Sequence, residues 1–183
     1  MDRKKFLQLS SLGLGSFTLP SYTPAAKKPI VVSTWESGMG VNAEAWKVLS
    51  TKGNALDAIE AGAMFIENEI NCCVGLGGYP DRDGIVTLDA CIMDYNANCG
   101  AVAGLERIKH PISVARKVME NTPHVILVGN GAQQFAVENG FPLESEELSD
   151  DAKKAYKEWL KTSEYKPQIN IENMPAGTAG KKN

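Results

Sequence analysis

Cys73 stands directly before Val74-Gly75-Leu76-Gly77-Gly78, and a thiol beside a run of glycines is the first setting in this chain that could support chemistry. Glycines let the backbone take φ > 0 or approach another group closely. A thiol attacks as its thiolate, which needs a neighbouring base or cation. The only histidines are His110 and His124, and no motif ties either to Cys73. A nucleophilic Cys73 therefore lacks an evident base. The glycine run has neither Gly-x-Gly-x-x-Gly spacing nor a Gly-Lys-Ser/Thr ending, so phosphate cradling has little support. Asp81, Asp83 and Asp94 lack the closing glutamate of a calcium loop, and turn capping is the expected use. The four cysteines form no Cys-x-x-Cys and have no histidine at ligand spacing, so no metal is expected. Side chains of adjacent cysteines diverge, so Cys72 and Cys73 are not expected to bond each other, and buried free thiols are the expectation.

The elements that must position these groups alternate between strand and helix patterns. Residues 30–34, Ile-Val-Val-Ser-Thr, form a run rich in β-branched residues, the mark of a strand covered on both faces. Asn42 offers an N-cap for a helix through Leu49, with Gly53 as its stop. A second helix begins at Ala55, with Leu56, Ile59, Ala63, Ile66 and Ile70 at helical spacing and Asn54 and Asp57 as a capping pair. After a turn at 80–84, residues 86–88 and 91–93 read as two buried strand pieces, and 100–103 as another. Pro111 opens a helix over 112–119, residues 125–128 form a further buried strand, and a helix over 131–137 stops at Asn139-Gly140. A polar helix over 149–161 carries Tyr156, Trp159 and Leu160 on one side. Layered α/β is the predicted class.

A net charge of −3 with interleaved signs leaves no basic stripe, which argues against nucleic acid as a partner. An apolar share of 43% suits a globular chain. Arg3-Lys4-Lys5 precedes a short, mildly apolar run over 6–19, then Ala25-Ala26. That run is too short and too polar to span a bilayer, and residues 1–26 read as an export signal, to a periplasm, rather than a disordered tail. Arg3-Lys4-Lys5-Phe6-Leu7 resembles the twin-arginine motif with lysine in second place. No membrane association is expected once the signal is removed.

Several strings occur in an order that resembles one enzyme family. They are Pro29-Ile-Val-Val-Ser-Thr-Trp35, Glu44-Ala-Trp-Lys-Val-Leu49, VGLGGYPDRDGIVTLDACIMD over 74–94, Pro111-Ile-Ser-Val-Ala-Arg116, His124-Val-Ile-Leu-Val-Gly129 and Asn170-Ile-Glu-Asn173. Over 29–173 the chain resembles the α-subunit of the glycosylasparaginases, which are N-terminal-nucleophile (Ntn) amidohydrolases. The resemblance implies an α/β fold, the N-terminal half of an αββα four-layer sandwich. It divides the chain into an export signal (1–26), an α-subunit-like region (27–173) and a flexible tail (174–183).

In that family a precursor cuts itself before the threonine of a His-Asp-Thr triplet, and that threonine's hydroxyl attacks with its own α-amine as base. No His-Asp-Thr occurs here, and Thr178, in Ala-Gly-Thr-Ala-Gly, reads as a loop residue. The resemblance thus implies no catalytic residue among these 183, no cofactor, and a β-subunit partner carrying the threonine within an (αβ)2 assembly. It assigns Trp35 to the substrate wall and places Cys73 where family members carry serine; both are candidate substrate-binding positions. Ser37 departs from the aromatic that the family usually has there. The implied substrate is N-acetylglucosamine linked to an asparagine side chain. The alternatives are a fragment of an L-asparaginase or isoaspartyl peptidase of the same fold, or a non-catalytic remnant or binding protein. Mass spectrometry of protein from a native host is expected to find a start near Ala26 and no peptide from 1–19; an intact N-terminus on cytoplasmic protein would refute export.

Overall fold

A computed structural model describes Lys4, Lys5 and residues 28–163. The chain divides into two compact units, Met1–Ile30 and Val31–Asn183. Apart from Lys4 and Lys5 the export-signal reading lies outside the described residues, as do the tail and Thr178. Among the described residues no helix is long and apolar enough to cross a membrane.

The described residues of the second unit form five helices and a three-stranded sheet. Helices α1 (Gly38–Ser50) and α2 (Ala55–Asn68) come first, followed by a 3₁₀ turn at Gly75–Gly77. Strand β1 (Thr87–Met93) pairs antiparallel with β2 (Cys99–Glu106), and β3 (Ile126–Val128) pairs parallel with β2. Helices α3 (Pro111–Asn121), α4 (Gly129–Glu138) and α5 (Asp150–Trp159) complete it. The class is α/β, as expected.

Local chemistry accounts for the helix ends. The Asn54 side chain accepts the Asp57 N–H at 2.8 Å and donates to the Asp57 carboxylate, the capping pair read from the sequence. Pro111 sits in the first turn of α3, where its missing N–H costs nothing. Ser149 Oγ accepts the Ala152 N–H to start α5. Arg116 on α3 reaches Asp57 at 2.8 Å and Glu60 at 2.6 Å on α2, tying the two helices together.

One face of the sheet carries the core. Leu88, Ile92, Val102 and Leu105 point at Val114, Ala115 and Val118 of α3, with Ala132 and Ala136 of α4 beside them. The approach is close enough that a methyl on Gly100 would overlap the Ala115 carbonyl oxygen and sit 2.6 Å from the Met119 nitrogen. The alternate residues face the other way. The register puts Cys91, Ala101 and Ile126 in one row, with Met93 beside Cys99 and Ala103 beside Val128. Met93, Ile126 and Val128 are exposed, so this second face is apolar and bare.

Several expectations are corrected. Residues 30–34 are not a buried strand: residues 28–33 lack regular structure, and Val32 is 83% exposed. A β-branched run becomes a strand only when a neighbour pairs its backbone, and none of the described residues does so. Helix α1 starts at Gly38 rather than beyond Asn42, whose side chain instead accepts the Ser33 hydroxyl at 2.5 Å. At its far end Lys52, not Gly53, takes the left-handed conformation, with φ 65°. The two strand pieces at 86–88 and 91–93 are one strand with a register shift between Leu88 and Ala90, where Asp89 Oδ1 accepts the Gly104 N–H. Residues 126–128 do form a strand, but one buried on a single face: Leu127 packs against the core while Ile126 and Val128 are exposed.

Gly100→Ala is expected to destabilise the fold by about 1–3 kcal/mol, since backbone rather than a flexible side chain blocks the methyl. Urea unfolding measures this, and an unchanged midpoint would contradict the packing described.

Candidate functional site

A cleft of about 360 Å³ lies where α2, the glycine turn and β1 converge, lined among others by Glu67, Cys72, Cys73, Tyr79, Asp89 and Pro111. Its shape begins with Asn71. The Asn71 side-chain oxygen accepts the N–H groups of Cys73 (2.9 Å) and Val74 (2.7 Å), bending the chain as it leaves α2. Gly75 follows with φ 70°, and a Cβ there would lie 2.9 Å from the Glu67 carbonyl oxygen. Only glycine meets both conditions.

Glu67 is the one buried charged residue among those described, 7% exposed. Its Oε1 accepts the Ile112 N–H at 3.1 Å, and its Oε2 lies 3.3 Å from His110 Nδ1. His110 at the start of α3 makes no capping bond of its own, so Glu67 reaches across from α2 to satisfy that helix end. Burial pushes the Glu67 carboxyl up to about 7, assisted by Glu60 and opposed by the Ile112 N–H. Burial also pushes His110 down, helped by Lys109 and opposed by Glu144 and Glu60. Desolvation thus drives both partners toward neutrality.

Cys72 and Cys73 are joined by a disulfide, which corrects the expectation that neighbours would not bond. The divergence of adjacent side chains holds for an extended chain, whereas Asn71 bends this one. Buried free thiols are corrected as well: Cys72 and Cys73 are exposed and bonded, Cys91 is free and exposed, and Cys99 is free and half-buried. While the bond stands, Cys73 has no thiol with which to attack. Trp35 lies outside the lining of this cleft, 72% exposed in the turn that leads into α1, where its carbonyl accepts the Gly38 N–H. The structure therefore does not bring Trp35 and Cys73 into one described cavity. Asp81 and Asp94 hold their turns, Asp81 Oδ1 accepting from Asp83 and Ile85, and Asp94 Oδ1 from Asn96 and Asn98. Among the described residues no group of three or more His, Cys, Asp or Glu side chains is placed to hold a metal ion.

Glu67 was not singled out from the sequence, although a signal exists. It lies four residues after Ala63 on the apolar stripe of α2, and a carboxylate on such a stripe needs a buried partner.

The asparaginase family model (Asparaginase_2) matches residues 27–183. The chain belongs to this family. It is 60% identical over 147 residues to the N(4)-(Beta-N-acetylglucosaminyl)-L-asparaginase of Elizabethkingia miricola, covering 80% of this chain and 43% of that one. The rat protein of the same name is 49% identical over 136 residues, covering 72% of this chain and 38% of its own. A probable isoaspartyl peptidase/L-asparaginase 3 of Arabidopsis thaliana is 34% identical over 157 residues, covering 84% and 43% respectively. The chain thus spans less than half the length of these curated relatives.

Two outcomes follow from the cleft. A carboxyl raised from 4.5 to about 7 binds its proton more tightly in the fold than in the unfolded chain, so its stabilising share is full below 4.5 and lost as pH rises through 7. His110, pushed down, acts in the opposite sense, losing its share as pH falls. Glu67→Gln keeps the shape and both bonds but removes the carboxyl titration. The variant is expected to gain on the parent by roughly 3 kcal/mol as pH rises from 4.5 to 7.5. Urea unfolding across that range tests it, and parallel pH profiles would contradict the buried titration. Secondly, a thiol reagent without reductant is expected to label Cys91 fast and Cys99 slowly, and to reach Cys72 and Cys73 only after reduction; mass mapping decides.

Proposed function

We propose that this chain supplies the substrate wall of a glycosylasparaginase, an enzyme that hydrolyses the amide between N-acetylglucosamine and an asparagine side chain. The attacking threonine comes from a β-subunit segment paired with it. The observation that carries this reading is the bare apolar face of the sheet, Cys91, Met93, Ala101, Ile126 and Val128, together with the unpaired apolar run at 30–34. A second sheet stacked about 10 Å away would cover that face and complete four layers. Within the complex the threonine hydroxyl attacks the amide carbon while its α-amine takes the proton. The carbon–nitrogen bond breaks, the glycosylamine leaves with a proton, and water releases aspartate. Trp35 offers a rigid apolar wall and one N–H donor beside the sugar. An (αβ)2 assembly and export to a periplasm belong to the same proposal.

The sugar-linked substrate is preferred to free asparagine or an isoaspartyl peptide because identity is 60% to a relative named for the former, against 46% to a plant-type L-asparaginase of Pyrococcus abyssi and 34% to the probable isoaspartyl peptidase/L-asparaginase 3. The fold itself does not choose among them. The isolated chain is expected to release no aspartate from an asparagine-linked sugar. Production together with a β-subunit beginning at threonine is expected to restore turnover, which Trp35→Ala lowers roughly tenfold, about 1.4 kcal/mol. Turnover by the single chain, abolished by Thr178→Ala or Cys73→Ala, would overturn the assignment.

A further inference from the structure

A second groove, of about 270 Å³, adjoins the cleft beside Cys73, because Tyr79 lines both. Its remaining walls are Pro80 and, across from it, Tyr156 and Trp159 of α5, with Asp81 and Arg82 at its rim. Helix α5 is otherwise rich in Asp, Lys and Glu, so two aromatic residues three apart form a deliberate apolar strip on a polar helix. The strip is held in place. Tyr156 Oη donates to the Arg82 carbonyl at 2.9 Å, and its ring stands over Gly84, where a Cβ would come within 3.3 Å of it. The Tyr156 and Trp159 rings are near-parallel, 11° apart with centroids 6.3 Å apart, and so form a stepped aromatic floor. Tyr79 is 55% exposed at the junction.

An aromatic-lined groove with a polar rim and no buried charge suits a ligand with one apolar face and hydrogen-bonding edges. A pyranose ring is such a ligand, its axial C–H bonds lying on the aromatic face while equatorial hydroxyl and acetamido groups reach the rim. A nucleotide would need its phosphates neutralised, and this rim holds a single arginine whose side chain already faces Asp83. An apolar peptide would leave the rim groups unused. We propose that the Tyr79–Tyr156–Trp159 groove binds the second and later sugars of an uncharged amino-sugar oligosaccharide whose first sugar occupies the neighbouring cleft. This rests on the glycosylasparaginase reading for the first sugar and extends it to the length of the glycan.

The test compares two probes on the full chain by tryptophan fluorescence and calorimetry: N-acetylglucosaminyl-asparagine, and asparagine carrying the β1,4-linked disaccharide of N-acetylglucosamine. The longer probe is expected to bind about tenfold more tightly. Trp159→Leu is expected to erase that gain while leaving the shorter probe's affinity as it was, and Trp159→Phe to retain it, whereas Tyr79→Ala, which lines both cavities, is expected to weaken both probes. Should Trp159→Leu unfold α5 by circular dichroism, Ala155→Leu, which narrows the groove alone, decides by the same loss of the gain. Equal affinity of the two probes, binding of neither, or a gain that survives these groove variants overturns the proposal. Failure of the functional reading looks different. A preference for the longer probe with no hydrolysis by the chain paired with a β-subunit leaves the groove standing and sinks the activity, and hydrolysis of the short probe with no length preference does the reverse.

Discussion

The Glu67 carboxyl is the point on which the cleft depends. It sits at the end of α2, caps the start of α3 through the Ile112 N–H, and faces His110, so one side chain sets the spacing of two helices. Its own carbonyl oxygen is what forbids a side chain at Gly75. Moving Glu67 would therefore displace the glycine turn, and with it Cys73 on one side and Tyr79 on the other. Burying a carboxyl carries a desolvation cost, which the raised proton affinity expresses. The compensation is a fixed junction among three segments, which an apolar residue of the same volume would not provide, since it would leave the helix end unpaired.

The sheet above that junction is finished on one side only. Alternation along β1 and β2 buries Leu88, Ile92, Val102 and Leu105 and turns Cys91, Met93, Ala101 and Ala103 outward. Beyond the polar Thr87 and Asp89 at the start of β1, the outward set is small, sulfur-bearing or aliphatic, whereas a sheet face meant for water carries polar residues throughout. The outward residues of β3, Ile126 and Val128, continue the same surface. Such a surface is consistent with the proposed cover by a second, stacked sheet.

How much of this was legible in the sequence follows from the distance of each partner. Signals completed within a few residues were read correctly: the Asn54–Asp57 pair, Pro111 at the start of α3, the Asn139-Gly140 stop and the aromatic side of α5. The α/β class follows from periodicity, and the family from strings that recur in order. What failed needed partners that spacing does not reveal. Residues 30–34 have the composition of a strand but no pairing neighbour among the described residues, and 125–128 the composition of a buried one covered on a single face. The Cys72–Cys73 bond depends on a bend set by Asn71. Glu67 gains its meaning only through Ile112, which is 45 residues away.

The candidate site shows the same division. Cys73 was visible as a thiol before glycines, but its bonding state came from the local turn. Trp35 was carried over from the resemblance, and it stands exposed at the mouth of α1, apart from the cleft. An indole that is 72% exposed has no apolar environment of its own to justify it, so its enclosure must come from whatever covers the chain there. The same holds for Val32 and Ile126. Three features that look like misplaced core residues thus share one physical explanation. On the proposed reading the chain carries the apolar half of an interface, and the wall that Trp35 would give to a substrate is completed when a partner segment closes it.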